Sequence, residues 1–539
     1  MPFADRIVGE ERKDLYSGLL VVLIALLVYA NSLGNGFVWD DNLVIRNNPA
    51  LDGNIVHLFS GIDIALELEK NPYYRPLTIS TFLIEKRLHG HTPLLMHLFN
   101  ILFHAANAFL IYRLAFTLVS NRYAALLTGL LFAVHPINTE CVDFISARNT
   151  ILAGFFILAS YLMHEQSIRQ GKNIKAAAGA ALFFAGLFSK ETTIAVLPFI
   201  VFLEIASLRG ADFLSRRRSF ARLVPYFLCA VFYLILRNSA LSHAGVRLEI
   251  FPGLLDRLLD NIYIIPSYLL NIICPIALSP IYSVPDDLNI LVLPLLTGWL
   301  CIIGIIGWLL TKGRTPATLF GLAWLIAFWL PVSGIVYFPS AQMADRHLYL
   351  PAIGMWLILA DQAVRMLPAG NRADKYGIIA AMLILLLAGL TIKRNMDWKS
   401  EITLFSRVVE QYPNDARGHA ELGRSYYKED RNNNNYLDMS EREFNKALAL
   451  DPSMQTLHTP IGSIRLVKGD YEGALFHYTE ALSADPFDKE ALIYRGMVLE
   501  NLKRYKEAAA DYQLFLYAPG KGLDEMRSYA EERVRELSQ

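Results

Sequence analysis

Up to about residue 395 the chain is a succession of apolar runs. Most are near the length of about 20 residues that a helix needs to cross a bilayer. This feature constrains the fold most, because backbone exposed to lipid must satisfy its hydrogen bonds internally and helices do so within one segment. Candidate spans fall at 15–32, 94–119, 123–137, 150–166, 176–188, 192–208, 222–238, 289–311, 317–337, 347–366 and 376–393. Residues 396–539 are instead charged, polar and periodic. The expectation is an all-α protein: a polytopic membrane domain at 1–395 with about 11 spans, then a soluble helical domain at 396–539.

Loop charge gives the orientation. Lys and Arg gather in the N-terminus (Arg6, Arg12, Lys13), Arg169–Lys175, Arg209–Arg222, Lys312–Arg314 and Arg365–Lys375. Short basic loops stay in the cytoplasm. All five share that side if 255–282, broken by Pro266, Pro275 and Pro280, is an interfacial or re-entrant hairpin on the outer side. The first outer loop is then 33–92, and an odd number of spans places the C-terminal domain outside as well. Val28-Tyr29-Ala30 faintly resembles a signal-peptidase site, but the apolar run is long for a signal peptide and more spans follow, so an uncleaved first helix is expected. Net charge is zero, which provides no global field for nucleic acid. Cys141, Cys229, Cys274 and Cys301 lack paired spacing, and neither a disulfide framework nor a zinc site is expected.

The soluble part repeats with a period of 34. Ile461-Gly462 recurs at Arg495-Gly496, Tyr471 and Ala474 at Tyr505 and Ala508, and Phe444 and Ala447 at Tyr478 and Ala481. Pro452 is followed by Pro486 and then Pro519. This is the tetratricopeptide pattern of paired helices with small residues where they touch. An earlier copy holds Leu422-Gly423 and Tyr426, with an insertion around Asn432–Asn435, and a half repeat runs from Trp398 to Pro413. About three and a half repeats form an α-solenoid whose concave surface suits a peptide or protein, or serves as a rigid spacer.

Polar groups cluster in the membrane part. Asp40 and Asp41, in GFVWDDN, follow the first span, and carboxylates at a membrane face suggest one placed as a base. Arg75 closes the first outer loop, and Glu140, Arg148 and Asn149 flank the junction between the third and fourth spans. Lys190 and Glu191 occupy a tight turn, and Asp345, Arg346 and Tyr349 open the tenth span. Each could be a local ion pair, but together on one face they supply cations suited to a phosphate, with carboxylates nearby. His97, Asn100, His104 and Asn107 share a helix face, which fits either a wet cavity or hydrogen bonding between helices; no local carboxylate completes a metal set.

GFVWDDN, YYRPLT, HLFNILFHAANAFLIYRL, FAVHPINTE, LFSKET, LSPIYSV and ADRHLYLP, followed by tetratricopeptide repeats, resemble in order the transmembrane and tetratricopeptide repeat-containing O-mannosyltransferases and their bacterial relatives. The resemblance covers nearly the whole chain and implies a C-type glycosyltransferase fold. It further implies a lipid-linked sugar donor (polyprenyl or dolichyl phosphate sugar) used on the outer or lumenal face, and an acidic motif in the first outer loop. In that light Asp41 or Asp40 is the expected base, with the preference to Asp41. Arg346, Lys190 and Arg75 are candidate phosphate ligands, and Glu140, Arg148, His104, Glu191 and Tyr349 candidate pocket residues. A divalent metal at the acidic pair is a further option, with no residue assigned to one. Expected partners are membrane lipid, the lipid-linked sugar and an acceptor protein or glycan reached by the repeats. The expected setting is a bacterial inner membrane with the repeats in the periplasm, or alternatively an ER membrane with the repeats in the lumen. Competing readings are a membrane scaffold acting through its repeats, a transporter, and a lipid-linked sugar polymerase or ligase.

Overall fold

A computed structural model describes residues 3–60, 73–207, 213–243, 253–282, 292–335, 343–366, 372–429, 434–519, 523 and 525–537. Every regular element among them is helical. Part of the Asn432–Asn435 insertion lies outside the described residues. The chain divides into two compact units, Met1–Ser400 and Glu401–Gln539.

Among the described residues each of the eleven predicted spans overlaps a helix, but not always a long one; residues 208, 289–291 and 336–337 of these spans lie outside the described residues. Among the described residues six helical segments have the length and apolarity to cross a membrane: Lys13–Gly34, Pro93–Val119, Ile145–Gln170, Arg216–Ser242, Leu293–Thr311 and Gly377–Trp398. Arg122–Val134 and Pro136–Asp143 form a bent pair that makes a seventh if it is one span. Asn173–Ser189, Val196–Ser207, Pro316–Trp329 and Pro351–Met366 are shorter. The chain is thus a membrane protein with several apolar helices, some of which end in turns that hold ionisable groups.

Burial sorts these helices. Ile145–Gln170 is the most enclosed, whereas Leu293–Thr311 is almost wholly exposed, with Leu293, Leu296, Leu300, Ile303 and Leu310 outward, as expected of a lipid-facing helix. Helices pack closely where side chains are smallest. A Cβ on Gly321 would strike the backbone of Gly354, and one on Gly354 the backbone of Gly321, so Pro316–Trp329 and Pro351–Met366 are in near backbone contact. The segment 255–282 contains the helix Leu254–Ile273, whose charges keep it out of the long apolar set. Its Arg257 Nη1 donates to the Gly334 and Ile335 carbonyls, and its Asn261 Nδ2 to Ser333 O.

The first and last long helices of this unit are stitched together at one end. Asn31 Nδ2 donates to Ile392 O, Asn35 Nδ2 to Asn395 O, Asn395 Nδ2 to Val28 O, and Gly36 N to Lys399 O. These bonds anchor the base of GFVWDDN before the acidic pair is reached.

The second unit is an array of helices, Glu401–Gln411, Ala416–Glu429, Asn434–Leu450, His458–Val467, Tyr471–Ala484, Lys489–Asn501, Tyr505–Tyr517 and Met526–Leu537. The repeat glycines lie where helices touch. A Cβ on Gly423, Gly462 or Gly496 would come within 2.6, 2.8 and 2.5 Å of the rings of Phe444, Tyr478 and Tyr512, respectively. The same glycine meets the same aromatic position in each copy, which is the physical content of the repeat.

Candidate functional site

The site is built around one short stretch, the junction between the helices Arg122–Val134 and Arg148–Gln170. It contains the 3-10 turns Pro136–Asn138 and Ile145–Ala147 and, between them, the short helix Thr139–Asp143, and it is almost wholly buried. Three segments distant in sequence are fastened near it.

The first is GFVWDDN. Asp41 is fully buried. Its Oδ1 accepts from Ser146 N at 2.7 Å and Ser146 Oγ at 2.6 Å, and its Oδ2 accepts from Val38 N at 3.1 Å. Burial pushes its pKa up to about 7, with Asp40 adding to the rise and the Ser146 and Val38 donors opposing it. Trp39 adopts a left-handed backbone conformation, φ 53°, which is strained for an aromatic residue. Its indole stacks on Phe144 at 5.8 Å, and Phe144 stacks in turn on Trp398 at 5.7 Å. Across this turn the neighbouring carboxylates part company: Asp41 is buried and Asp40 is exposed.

The second is the segment before Pro351–Met366. Glu140, fully buried, forms an ion pair with Arg346, and its Oε2 accepts from the Arg346 backbone N at 2.8 Å. The guanidinium is thereby fixed along both side chain and main chain, while one fifth of the side chain stays exposed. Burial disfavours its charge, but Glu140 and then Asp40 outweigh this and hold the Arg346 pKa above its ordinary value. The Asp40 carboxylate is therefore an electrostatic neighbour of Arg346. Asp345 points elsewhere, accepting from Tyr282 Oη at 2.6 Å, and Tyr282 Oη accepts from Asn271 Nδ2 and Ser279 N. Burial and the Glu140 charge push Asp345 upward.

The third is the turn after Asn173–Ser189. Arg75 makes a two-pronged pair with Glu191, Nε to Oε2 at 2.9 Å and Nη2 to Oε1 at 2.6 Å, and its guanidinium lies 4.0 Å from the centre of the Tyr73 ring. Burial alone would raise the Glu191 pKa; the Arg75 charge and hydrogen bonds overcome it and hold the carboxyl at about 2. Lys190 is different. It is buried, its Nζ donates to Thr150 Oγ1 at 2.8 Å, and among the described residues it makes no ion pair. Burial lowers its pKa to about 8, and the nearby Arg75 and Arg346 charges add to the fall more than Glu191 offsets. An ammonium in that position gains from any incoming anion.

Of the expected site residues, the structure gathers Asp40, Glu140, Arg346, Lys190, Glu191 and Arg75 into one electrostatic neighbourhood. Three others lie inside the helix packing. Arg148 is fully buried, with bonds to Asn100 Oδ1, Glu85 Oε1, Thr81 Oγ1 and Met96 O, and its guanidinium over Phe82. His104 Nδ1 lies 3.0 Å from Tyr349 Oη, and that hydroxyl oxygen accepts from Asn107 Nδ2 at 3.0 Å. Asn100, His104 and Asn107 on the polar stripe thus make the inter-helix hydrogen bonds that were one of its two readings. No group of three or more His, Cys, Asp or Glu side chains among the described residues is placed to hold a metal ion. Sequence reasoning missed Ser146 and Thr150. A small hydroxyl gives no periodic signal, and only the fold brings each to its partner, 105 and 40 positions away.

Comparison with known proteins accords with this architecture. A tetratricopeptide repeat family model matches residues 460–522. A protein O-mannosyl-transferase of Caenorhabditis elegans is 27% identical over 460 residues, covering 81% of this chain and 63% of the relative. Protein O-mannosyl-transferase TMTC3 of Homo sapiens is 24% identical, covering 92% of this chain and 54% of the relative. Protein O-mannosyl-transferase TMTC4 of Mus musculus is 26% identical, with coverages of 78% and 65%. The chain therefore spans between about half and two thirds of the length of these relatives. Its ordered motifs, apolar helices and repeat array fit a transmembrane and tetratricopeptide repeat-containing O-mannosyltransferase-like family.

Proposed function

We propose that this chain is an integral-membrane glycosyltransferase that moves a sugar from a polyprenyl-phosphate carrier to an acceptor hydroxyl, with protein Ser or Thr the favoured acceptor. The observation that carries the reading is Lys190, a buried ammonium that among the described residues has no carboxylate of its own, set beside two guanidiniums that already have theirs. A carrier phosphate supplies the missing anion. It also grows more negative as the sugar departs, so the same contacts strengthen in the transition state. The relatives' names supply the sugar class, mannose.

The reaction is a direct displacement. The acceptor oxygen bonds to the anomeric carbon as the bond from that carbon to the phosphate oxygen breaks, which inverts the configuration. The phosphate leaves as an anion and needs no acid, while the acceptor hydroxyl must lose its proton to a base. We assign that base to Asp40, the exposed member of the pair and the one beside Arg346. Asp41, with both oxygens engaged, is a positioning residue. Arg346, Lys190 and Arg75 hold the phosphate, and Glu140 and Glu191 orient two of them. Eleven crossings, an outer-face site, repeats on the same side and a C-type glycosyltransferase fold complete the proposal, in a bacterial inner membrane or alternatively an ER membrane. The repeats then present the acceptor protein. A scaffold has no use for buried cations in surplus.

The test is transfer from a radiolabelled polyprenyl-phosphate sugar by purified protein. Asp40→Asn is expected to lower turnover by about 10²–10⁴-fold, the range for losing a general base, with donor still bound. Full turnover by Asp40→Asn refutes the assignment. Failure of the wild-type chain to consume any carrier-linked sugar refutes the transferase reading.

A further inference from the structure

Ser146 stands outside the roles assigned above, yet it makes two of the three hydrogen bonds received by Asp41. The two donors converge on one oxygen, Oδ1, leaving Oδ2 to close the turn on Val38 N. Main chain and side chain of one residue thus grip one atom, which fixes its direction as well as its distance. The turn is held a second time two residues away, where Trp39 lies on Phe144. Both fasteners land on 144–146, and that stretch is joined through Phe144 to Trp398. Between the two fastened residues sits Asp40.

We propose that Ser146 is a positioning residue: by clamping Asp41 it sets the turn that projects the Asp40 carboxylate toward Arg346. The inference rests on the transferase reading and deepens it. Its chemical basis is that the direction of the Asp40 side chain starts from the backbone that carries it, and that backbone is left-handed one residue earlier. A strained conformation persists only where the surroundings over-determine it. Here the surroundings are the Ser146 clamp on one side and the Phe144 stack on the other. Ser146 is itself pinned, because the carbonyl of the same residue accepts from Asn149 Nδ2 at 2.9 Å at the start of Arg148–Gln170.

The clamp separates two measurable quantities. Phosphate contacts from Lys190, Arg346 and Arg75 do not pass through Ser146, so donor affinity is independent of it. Proton removal from the acceptor depends on where Asp40 points, and a displacement of about 1 Å at a reacting group costs on the order of 100-fold in turnover.

The experiment uses the full chain in lipid nanodiscs with a polyprenyl-phosphate sugar and an acceptor peptide. It compares wild type, Ser146→Ala, Ser146→Thr, Asp41→Asn and Ser146→Ala combined with Asp41→Asn. Expected are a loss of about 100-fold in kcat for Ser146→Ala with donor KM and direct donor binding within twofold of wild type. Ser146→Thr, which keeps the hydroxyl, restores most of the turnover, and the double variant loses little beyond the single ones. Wild-type kcat in Ser146→Ala overturns the proposal, as does an equal loss in Ser146→Thr. A parallel loss of donor binding in Ser146→Ala also overturns it, since that marks collapse of the whole site. A wild-type chain inert with every carrier-linked sugar overturns the transferase reading and this inference together, whereas an active wild type with an active Ser146→Ala overturns this inference alone.

Discussion

The two units of this chain contain many ion pairs, but they use charge in opposite ways. In the repeat array cations are matched by neighbouring carboxylates. Arg495 is held by both oxygens of Asp511 at 2.7 Å, Lys468 reaches Asp438 and Glu441, and Arg504 pairs with Glu507 one turn on. The first two join one helix to another, the third lies at the start of one helix, and each cation is offset where it stands. In the membrane unit, Arg75 and Arg346 each lean on a buried glutamate, and Lys190 lies close enough to feel both, with only a hydroxyl as partner among the described residues. Charges that serve to hold a shape are cancelled where they stand, whereas a site that must attract an anion keeps one in reserve. Burying that reserve is costly, because desolvation penalises an ammonium, and only an arriving anion offsets it.

The comparison breaks most visibly at Lys190. Lys190→Met is expected to reduce sugar transfer by about 10²–10³-fold, the usual effect of removing one preorganised donor, without loss of folded protein. Transfer within a few-fold of wild type in a single-turnover assay would show that the surplus charge is idle. The array yields the next effect, in stability rather than rate. Gly496→Ala pushes a methyl into the Tyr512 ring and is expected to cost about 1–3 kcal/mol. Hydrogen exchange of the helices Lys489–Asn501 and Tyr505–Tyr517 should report it, with kcat unchanged.

A pH titration sharpens the contrast further. The Lys190 pKa is lowered to about 8, so its charge is present at neutral pH and lost as pH rises through that value. Donor KM should rise about tenfold per pH unit above 8 and stay flat in Lys190→Arg, whose guanidinium does not titrate there. A rise of equal size in Lys190→Arg would assign the titration to another group. The smallest effect belongs to the exposed pair of the array: Arg504→Ala should leave both melting and transfer unchanged.

What the sequence revealed differed between the units for the same reason. Repeats announce themselves because the contact of Gly462 with Tyr478 recurs at Gly496 with Tyr512, so a period of 34 encodes packing directly. The site has no period. The acidic pair, the Glu140–Arg346 ends of their motifs and the Ser189–Glu191 turn stood out as charges beside apolar runs, and the structure gathers them. Which aspartate faces outward was not legible, because it depends on Ser146, far along the chain. Arg148, His104 and Tyr349 resembled site residues by type, but their donors and acceptors are consumed between helices. Crossing length was similarly hidden: an apolar run of 13–17 residues reads as a span, yet Arg122–Val134 and Asn173–Ser189 are short helices that stop at buried polar turns.

The stretch from Glu140 to Ser146 holds Arg346 at one end and the Asp40 turn at the other. The distance between the proposed base and the proposed phosphate grip is therefore fixed by six peptide bonds of buried chain. Tilting of the long helices, the ordinary response to a bilayer that is too thick or too thin, carries both ends of that short ruler together. Catalytic spacing in such a design is indifferent to acyl-chain length, so the same turnover is expected in thin and thick bilayers even as the lipid-facing helices readjust.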